Sequence, residues 1–179
     1  MIPFGKNWRL LAPLLAFLIA PAAANAADSP EWLACNGSEP QYTLDQQIAG
    51  CSWIIANSET NQARLADAFN DRCFSIAQSG KMLQDALADC NESLRRRAGD
   101  SGTLQSRCLV YLRLNQFDKA IADGNASIQA DPKQSSAFYI RGLAKRRSGD
   151  VAGGDTDIAT AKSLDPRVAD AYTPYGVGP

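Results

Sequence analysis

Apolar side chains recur at helical spacing along most of this chain. Leu104, Cys108 and Tyr111 share one face at i, i+4 and i+7, and after a polar break at Asn115-Gln116 a second stripe runs through Ala120, Ile121, Gly124, Ser127 and Ile128. Asp131-Pro132 ends that second stripe, because a residue preceding proline is pushed out of the α region. The pattern predicts a helical hairpin. Phe138 and Gly142, a turn at Ser148-Gly149-Asp150, then Ile158 and Ala161 before Pro166 predict another of the same form.

The hairpins are copies of each other. Residues Ala86 to Leu94 lie over Ala120 to Ile128 at a shift of 34, and the same shift relates Asp123 to Asp157 and Asp131-Pro132 to Asp165-Pro166. Arg72-Cys73, Arg107-Cys108 and Arg141-Gly142 fall at intervals of 35 and 34, which places one extra residue in the first unit near Gly80. A fixed period in this range means stacked supersecondary units that bury their faces against one another.

On these residues the chain resembles tetratricopeptide repeats (TPR), whose units show an aromatic, a small residue four later, a small residue opening the second helix and a closing proline. Leu104, Cys108, Ala120 and Pro132 fill those roles in one unit, and Phe138, Gly142, Gly154 and Pro166 in the next. The first unit has Phe69, Cys73 and Ala86 but no proline at its end. The resemblance covers about residues 60–173 and implies an all-α fold: an α-solenoid of about three helix-turn-helix repeats, over 60–99, 101–134 and 135–168. A cap helix is expected over 43–57, and Val168 to Thr173 opens a further first helix, with Tyr172 in the aromatic slot, that Pro174 and Gly176 cut short. Residues 27–42 are read as irregular and 174–179 as a tail.

The leader decides the compartment. Lys6 and Arg9 precede an apolar run from Leu10 to Ala20, and small residues lead to Ala26, as in a secretory signal peptide cleaved after residue 26. The run is short of the roughly 20 residues needed to cross a bilayer, and no later stretch approaches that length, so no membrane insertion is expected of the mature chain. The expected destination is across an inner membrane, in the bacterial periplasm. Removing 26 of 179 residues leaves 153, enough for one domain.

Charge and composition then exclude whole classes of function. The chain has 18 Lys+Arg against 19 Asp+Glu, and loss of Lys6 and Arg9 leaves a net charge of about −3, so nucleic acid is not an expected partner. Histidine is absent, which removes Ser-His-Asp and Cys-His catalysis and His-containing zinc sites. Neither a nucleophile elbow nor a phosphate-binding loop with lysine occurs. The chain is therefore not expected to be an enzyme, and no cofactor or metal is implied. Asp89, Asp123 and Asp157 are periodic and read as solvated helix charges.

Five cysteines fit two disulfides and one thiol in an exported chain. A Cys35–Cys51 bridge closes a loop of about 17 residues and fastens the open end of the array, which contributes on the order of 3 kcal/mol by loop entropy. Cys73 and Cys90 lie on facing helices of one hairpin, near the same level, and Cys108 then remains as a buried free thiol. The rival pairing joins Cys90 to Cys108 across neighbouring units.

The resemblance implies that first helices line a concave groove that receives a protein or peptide. Carried over to this chain, the groove positions are Asn70, Phe74 and Gln78, then Gln105, Leu109, Leu112 and Arg113, then Tyr139, Leu143, Arg146 and Arg147. Phe74, Leu109 and Leu143 recur at 35 and 34, and either stack into an apolar stripe along the groove or tuck between units as core. Arg113, Arg146 and Arg147 either rim the groove for a carboxylate-bearing ligand or complement a helix C-terminus. Ser106, Ser136 and Ile140 stand where some cytosolic relatives need Lys or Asn to clamp a chaperone tail, so that partner is not expected. The leading expectation is an exported protein-interaction module serving envelope assembly. The alternative is a structural subunit that docks on a larger complex through its C-terminal end, around Tyr172 and Tyr175.

Overall fold

A computed structural model describes residues 29–57 and 61–178; the expected leader, residues 1–26, lies outside the described residues. Among the described residues eight α-helices follow in order: α1 (Pro30–Cys35), α2 (Leu44–Asn57), α3 (Gln62–Ser79), α4 (Leu83–Arg96), α5 (Ser101–Arg113), α6 (Phe117–Ala130), α7 (Ser135–Ser148) and α8 (Val151–Leu164). Two short 3-10 turns, Val168–Ala171 and Thr173–Tyr175, come after them. No strand occurs among the described residues, and no described helix is long and apolar enough to cross a membrane.

Local chemistry sets the helix ends. Asn61 caps α3 by accepting from the backbone N–H of Ala63 and Arg64, both at 3.1 Å, while Asp100 caps α5 by accepting from Thr103 at 2.8 Å. Gly80 and Gly149 close α3 and α7 in the left-handed conformation, at φ 71° and 103°. Asp131 and Asp165, each before a proline, are extended and stop α6 and α8.

Each helix packs on its neighbours in sequence, so the chain is a run of antiparallel hairpins. The first helices α3, α5 and α7 also touch one another along one side, with α4, α6 and α8 spread on the other, which curves the stack and makes α3, α5 and α7 its inner wall. A continuous core runs from Cys73 and Ile76 through Leu109, Leu112 and Ile140 to Ile158. The fold is an α-solenoid of helix-turn-helix repeats.

Two sequence expectations change here. The segment 27–42, expected to be irregular, contains α1, which packs on α2 as a short first hairpin. Ser29 caps it by accepting from Trp32 N–H at 3.2 Å, and Pro30 sits in the first turn, where a missing N–H costs nothing. Six residues are too few for the apolar period to register in a sequence window. The contact is close enough to require glycine opposite: a Cβ on Gly50 would stand 2.5 Å from the Glu31 carbonyl oxygen.

The periodic aspartates are not solvated. Asp89, Asp123 and Asp157 are buried, and each receives both arms of an arginine one helix away: Arg72, Arg107 and Arg141 donate through Nε and Nη2 at 2.6–2.8 Å. The remaining Nη1 reaches back to the preceding unit, to Ser52, Asn91 and Asn125 respectively. One guanidinium per unit therefore ties a hairpin to itself and to its predecessor. Burial alone would raise the Asp157 carboxyl, but hydrogen bonds from Arg141 and Lys145 outweigh it and hold the group below its ordinary range.

Candidate groove and its occupant

The inner wall is built from one face of each first helix. Phe74 and Gln78 come from α3, Gln105, Leu109, Leu112 and Arg113 from α5, and Tyr139, Leu143, Arg146 and Arg147 from α7. Leu109, Leu112, Tyr139 and Leu143 are at most 1% exposed, so the leucine stripe lies in the core and serves as the floor under the wall. Asn70 accepts from the Ser106 hydroxyl at 2.9 Å, tying α3 to α5. Arg146 pairs with Asp155 of α8, and Lys145 with Asp157 at 2.9 Å, so these two basic side chains turn toward the second helix.

The rest of the wall meets the chain's own C-terminal segment. Tyr172 is 2% exposed; its ring stacks on Tyr139 with centroids 5.5 Å apart, and meets Phe74 edge-on at 6.4 Å. Gln105 Nε2 donates to the Tyr172 hydroxyl at 3.3 Å, and Gln78 Nε2 to the Ala171 carbonyl at 3.1 Å. Arg113 Nη2 donates to the carbonyls of Gln78, at 2.7 Å, and Tyr175, at 2.6 Å, while Arg147 Nη2 donates to the Gly178 carbonyl at 3.2 Å. Val168 and Val177 are buried in the same core cluster. Burial pushes the Tyr172 phenol up to about 12, although a hydrogen bond with Ser136 opposes it. Tyr172 is thus enclosed by the groove and not offered at the end of the stack.

Two polar atoms of this wall stay unmatched. The Tyr139 hydroxyl and Arg113 Nε are buried and have no hydrogen-bond partner among the described residues. Arg113 is also pushed below its ordinary range by desolvation and by the nearby Arg147. One end of the groove is therefore cationic and underpaired. Beside it, sharing Gln78 and Tyr175, lies a cavity of about 330 Å³ lined also by Gln47, Asp71, Phe74 and Asp170 among others. There burial, and then the charge of Asp67, raises the Asp71 carboxyl to about 7, with Asn70 opposing and Asp100 adding to the rise.

The cysteines fasten the hairpins beneath and beside the groove. Cys35 and Cys51 are joined, as are Cys73 and Cys90, with Cα atoms 4.5 and 5.5 Å apart. Each bridge spans the two helices of one hairpin at the same level. Cys108 is free and buried; its Sγ donates to the Ala120 carbonyl at 3.0 Å, and desolvation drives the thiol well above its ordinary range. No group of three or more His, Cys, Asp or Glu side chains able to hold a metal occurs among the described residues.

The fold, as distinct from the groove contacts, has a solved counterpart. The chain superimposes on the Arabidopsis OM64 TPR domain with a TM-score of 0.56 at 19% identity, over 64% of this chain and 95% of that one. The fold is a tetratricopeptide-type solenoid. Human sperm-associated antigen 1 is 30% identical over 91 residues, which is 51% of this chain but 10% of that protein. The chain thus spans a tenth of that relative's length. No family model matches.

Sequence patterning named these residues as groove positions and did not anticipate that residues 168–178 lie against them. The signal was present in Tyr172, spaced into the aromatic slot, and in Pro174 and Gly176, which forbid a helix. Together these require a non-helical segment with one strongly apolar anchor, and the groove is the apolar surface within its reach.

Proposed function

We propose that this chain is an interaction module whose groove, walled by α3, α5 and α7, takes an extended or turned segment of a partner protein. The observation that carries this reading is that the wall already holds a peptide segment through ring stacking and donated hydrogen bonds to main-chain carbonyls. Such contacts recognise a backbone course together with one aromatic side chain. The likeness to the OM64 TPR domain fits the same use. The leader pattern and the two disulfides support export to an oxidising compartment, the bacterial periplasm, with a role in envelope assembly. The reading assigns no catalytic step to the groove.

Site-specific photocross-linking in the native envelope tests it. A benzophenone side chain at Phe74 should yield a defined adduct with a partner protein, and the same group at Lys162, on α8 and away from the wall, should not. Adducts from Lys162 alone would move the interaction to the outer face.

A further inference from the structure

We infer that residues 168–178 are a self-ligand, an intramolecular stand-in for the partner, and that the partner is a segment with one tyrosine, an aliphatic residue about five positions on and a carboxylate beside it. This rests on the groove reading above and names its ligand.

The course of the segment separates this role from that of a simple end cap. A cap on the last hairpin would contact α7 and α8 alone; residues 168–171 contact both, but the segment does not stop there. This segment crosses the whole wall, meeting Phe74 and Gln78 on α3, Gln105 and Arg113 on α5, and Tyr139 and Arg147 on α7. It leaves Val151 and Leu164 of α8 half exposed, so it covers the end of the stack only in part. Its own secondary structure is two short 3-10 turns, which do not stand without a template.

The partner's chemistry follows from what the segment satisfies and what it leaves. The pocket between Tyr139 and Phe74 takes an aromatic ring, and Gln105 selects one with an acceptor at its tip. The place of Val177 takes a branched aliphatic side chain. Charge complementarity supplies the rest. Among the described residues, Arg113 and Arg147 meet only neutral carbonyls of the segment, and Arg113 Nε has no partner. A carboxylate delivered there would form charge-assisted hydrogen bonds that the resident segment does not, so a partner carrying one outcompetes it. The competition matters because the segment follows α8 after only Asp165-Pro166-Arg167 and therefore acts at an effective concentration in the millimolar range. If it is docked about 99% of the time, the apparent affinity of any competitor falls about a hundredfold.

The test uses the full chain and two labelled peptides, amidated to remove the terminal carboxylate. One has the sequence of residues 168–178; the other carries Gly178→Asp. Tyr172→Ser in the chain should raise affinity for both peptides at least tenfold over the unaltered chain. The Gly178→Asp peptide should bind roughly tenfold tighter than the plain one, a preference that Arg147→Gln in the chain removes. Equal peptide affinity in the Tyr172→Ser and unaltered chains would overturn the inference. Hydrogen exchange on the unaltered chain decides the matter if Tyr172→Ser does not fold: amides of 168–178 should open well before those of α5 and α7, and exchange only together with those helices would make the segment structural and end the proposal. A Phe74 cross-link with unchanged peptide affinities would leave the groove reading standing and the self-ligand overturned. The expected affinities without a Phe74 adduct would do the reverse.

Discussion

Asp71 and Met82 are each held in an unfavourable state by the fold. The Asp71 carboxyl, ordinarily near 3.8, is raised to about 7 by burial and by Asp67. A raised acid contributes stability while it keeps its proton, so that contribution is complete below about pH 4 and disappears as pH climbs through 7. Asp71→Asn should therefore stabilise the chain at pH 8 by on the order of 2 kcal/mol, allowing for residual water contact, and change little at pH 4.5. Thermal melts at the two pH values check this, and an equal effect at both would reject it. Met82 lies 61% exposed in the left-handed region, φ 49°, where its Cβ crowds the backbone and its side chain gains nothing. Met82→Gly should raise stability by about 1 kcal/mol in a urea titration, and Met82→Val should lower it by a similar amount. Neither state was legible in the sequence. A backbone angle at a turn and the company of a carboxyl are fixed by which hairpin packs where, and the apolar period does not record them.

At the scale of the element, the repeat was legible because identity at a shift of 34 copies a whole hairpin, and the levels of Cys73 and Cys90 followed from placing its two helices. The burial of the aspartates was not legible, since a charged residue at a periodic position looks the same from sequence whether it faces water or an arginine one helix away. Arg107 donates to Asp123 through two nitrogens and to Asn91 through a third. Arg107→Met should therefore cost about 3 kcal/mol by leaving Asp123 buried and unpaired, whereas Arg95→Met, on an exposed pair with Glu92, should leave the melting midpoint in place. Comparable losses from both variants would mean that the ladder is ornamental. The cystines act on the same elements. Cys73→Ser with Cys90→Ser should lose about 3 kcal/mol by the loop-entropy argument for their separation of 17. Cys108 should stay silent to a thiol reagent until the chain unfolds; rapid labelling of the native chain would contradict its burial.

For the whole molecule, the curved wall was readable from sequence but its occupation was not, because the pairing of Tyr172 with Gln105 spans 67 residues and leaves no local period. That long-range contact carries its own titration. The Tyr172 phenol, ordinarily near 10, is raised to about 12 by its burial between Tyr139 and Phe74. A raised group stabilises the state that keeps its proton, so docking of residues 168–178 is fully supported below pH 10 and is lost as pH rises through about 12. Absorbance near 295 nm should show two of the five tyrosines, Tyr139 and Tyr172, ionising late because both are desolvated, and exchange or fluorescence reporters on the segment should show it leaving the groove as Tyr172 ionises. Tyr172→Phe cannot ionise and gives up only the Gln105 hydrogen bond, worth about 1 kcal/mol. It should dock slightly less firmly at neutral pH yet hold its docking above pH 10. If the Tyr172→Phe segment departs at the same pH as the unaltered one, ionisation of Tyr172 does not control the docking, and the helices themselves are giving way first.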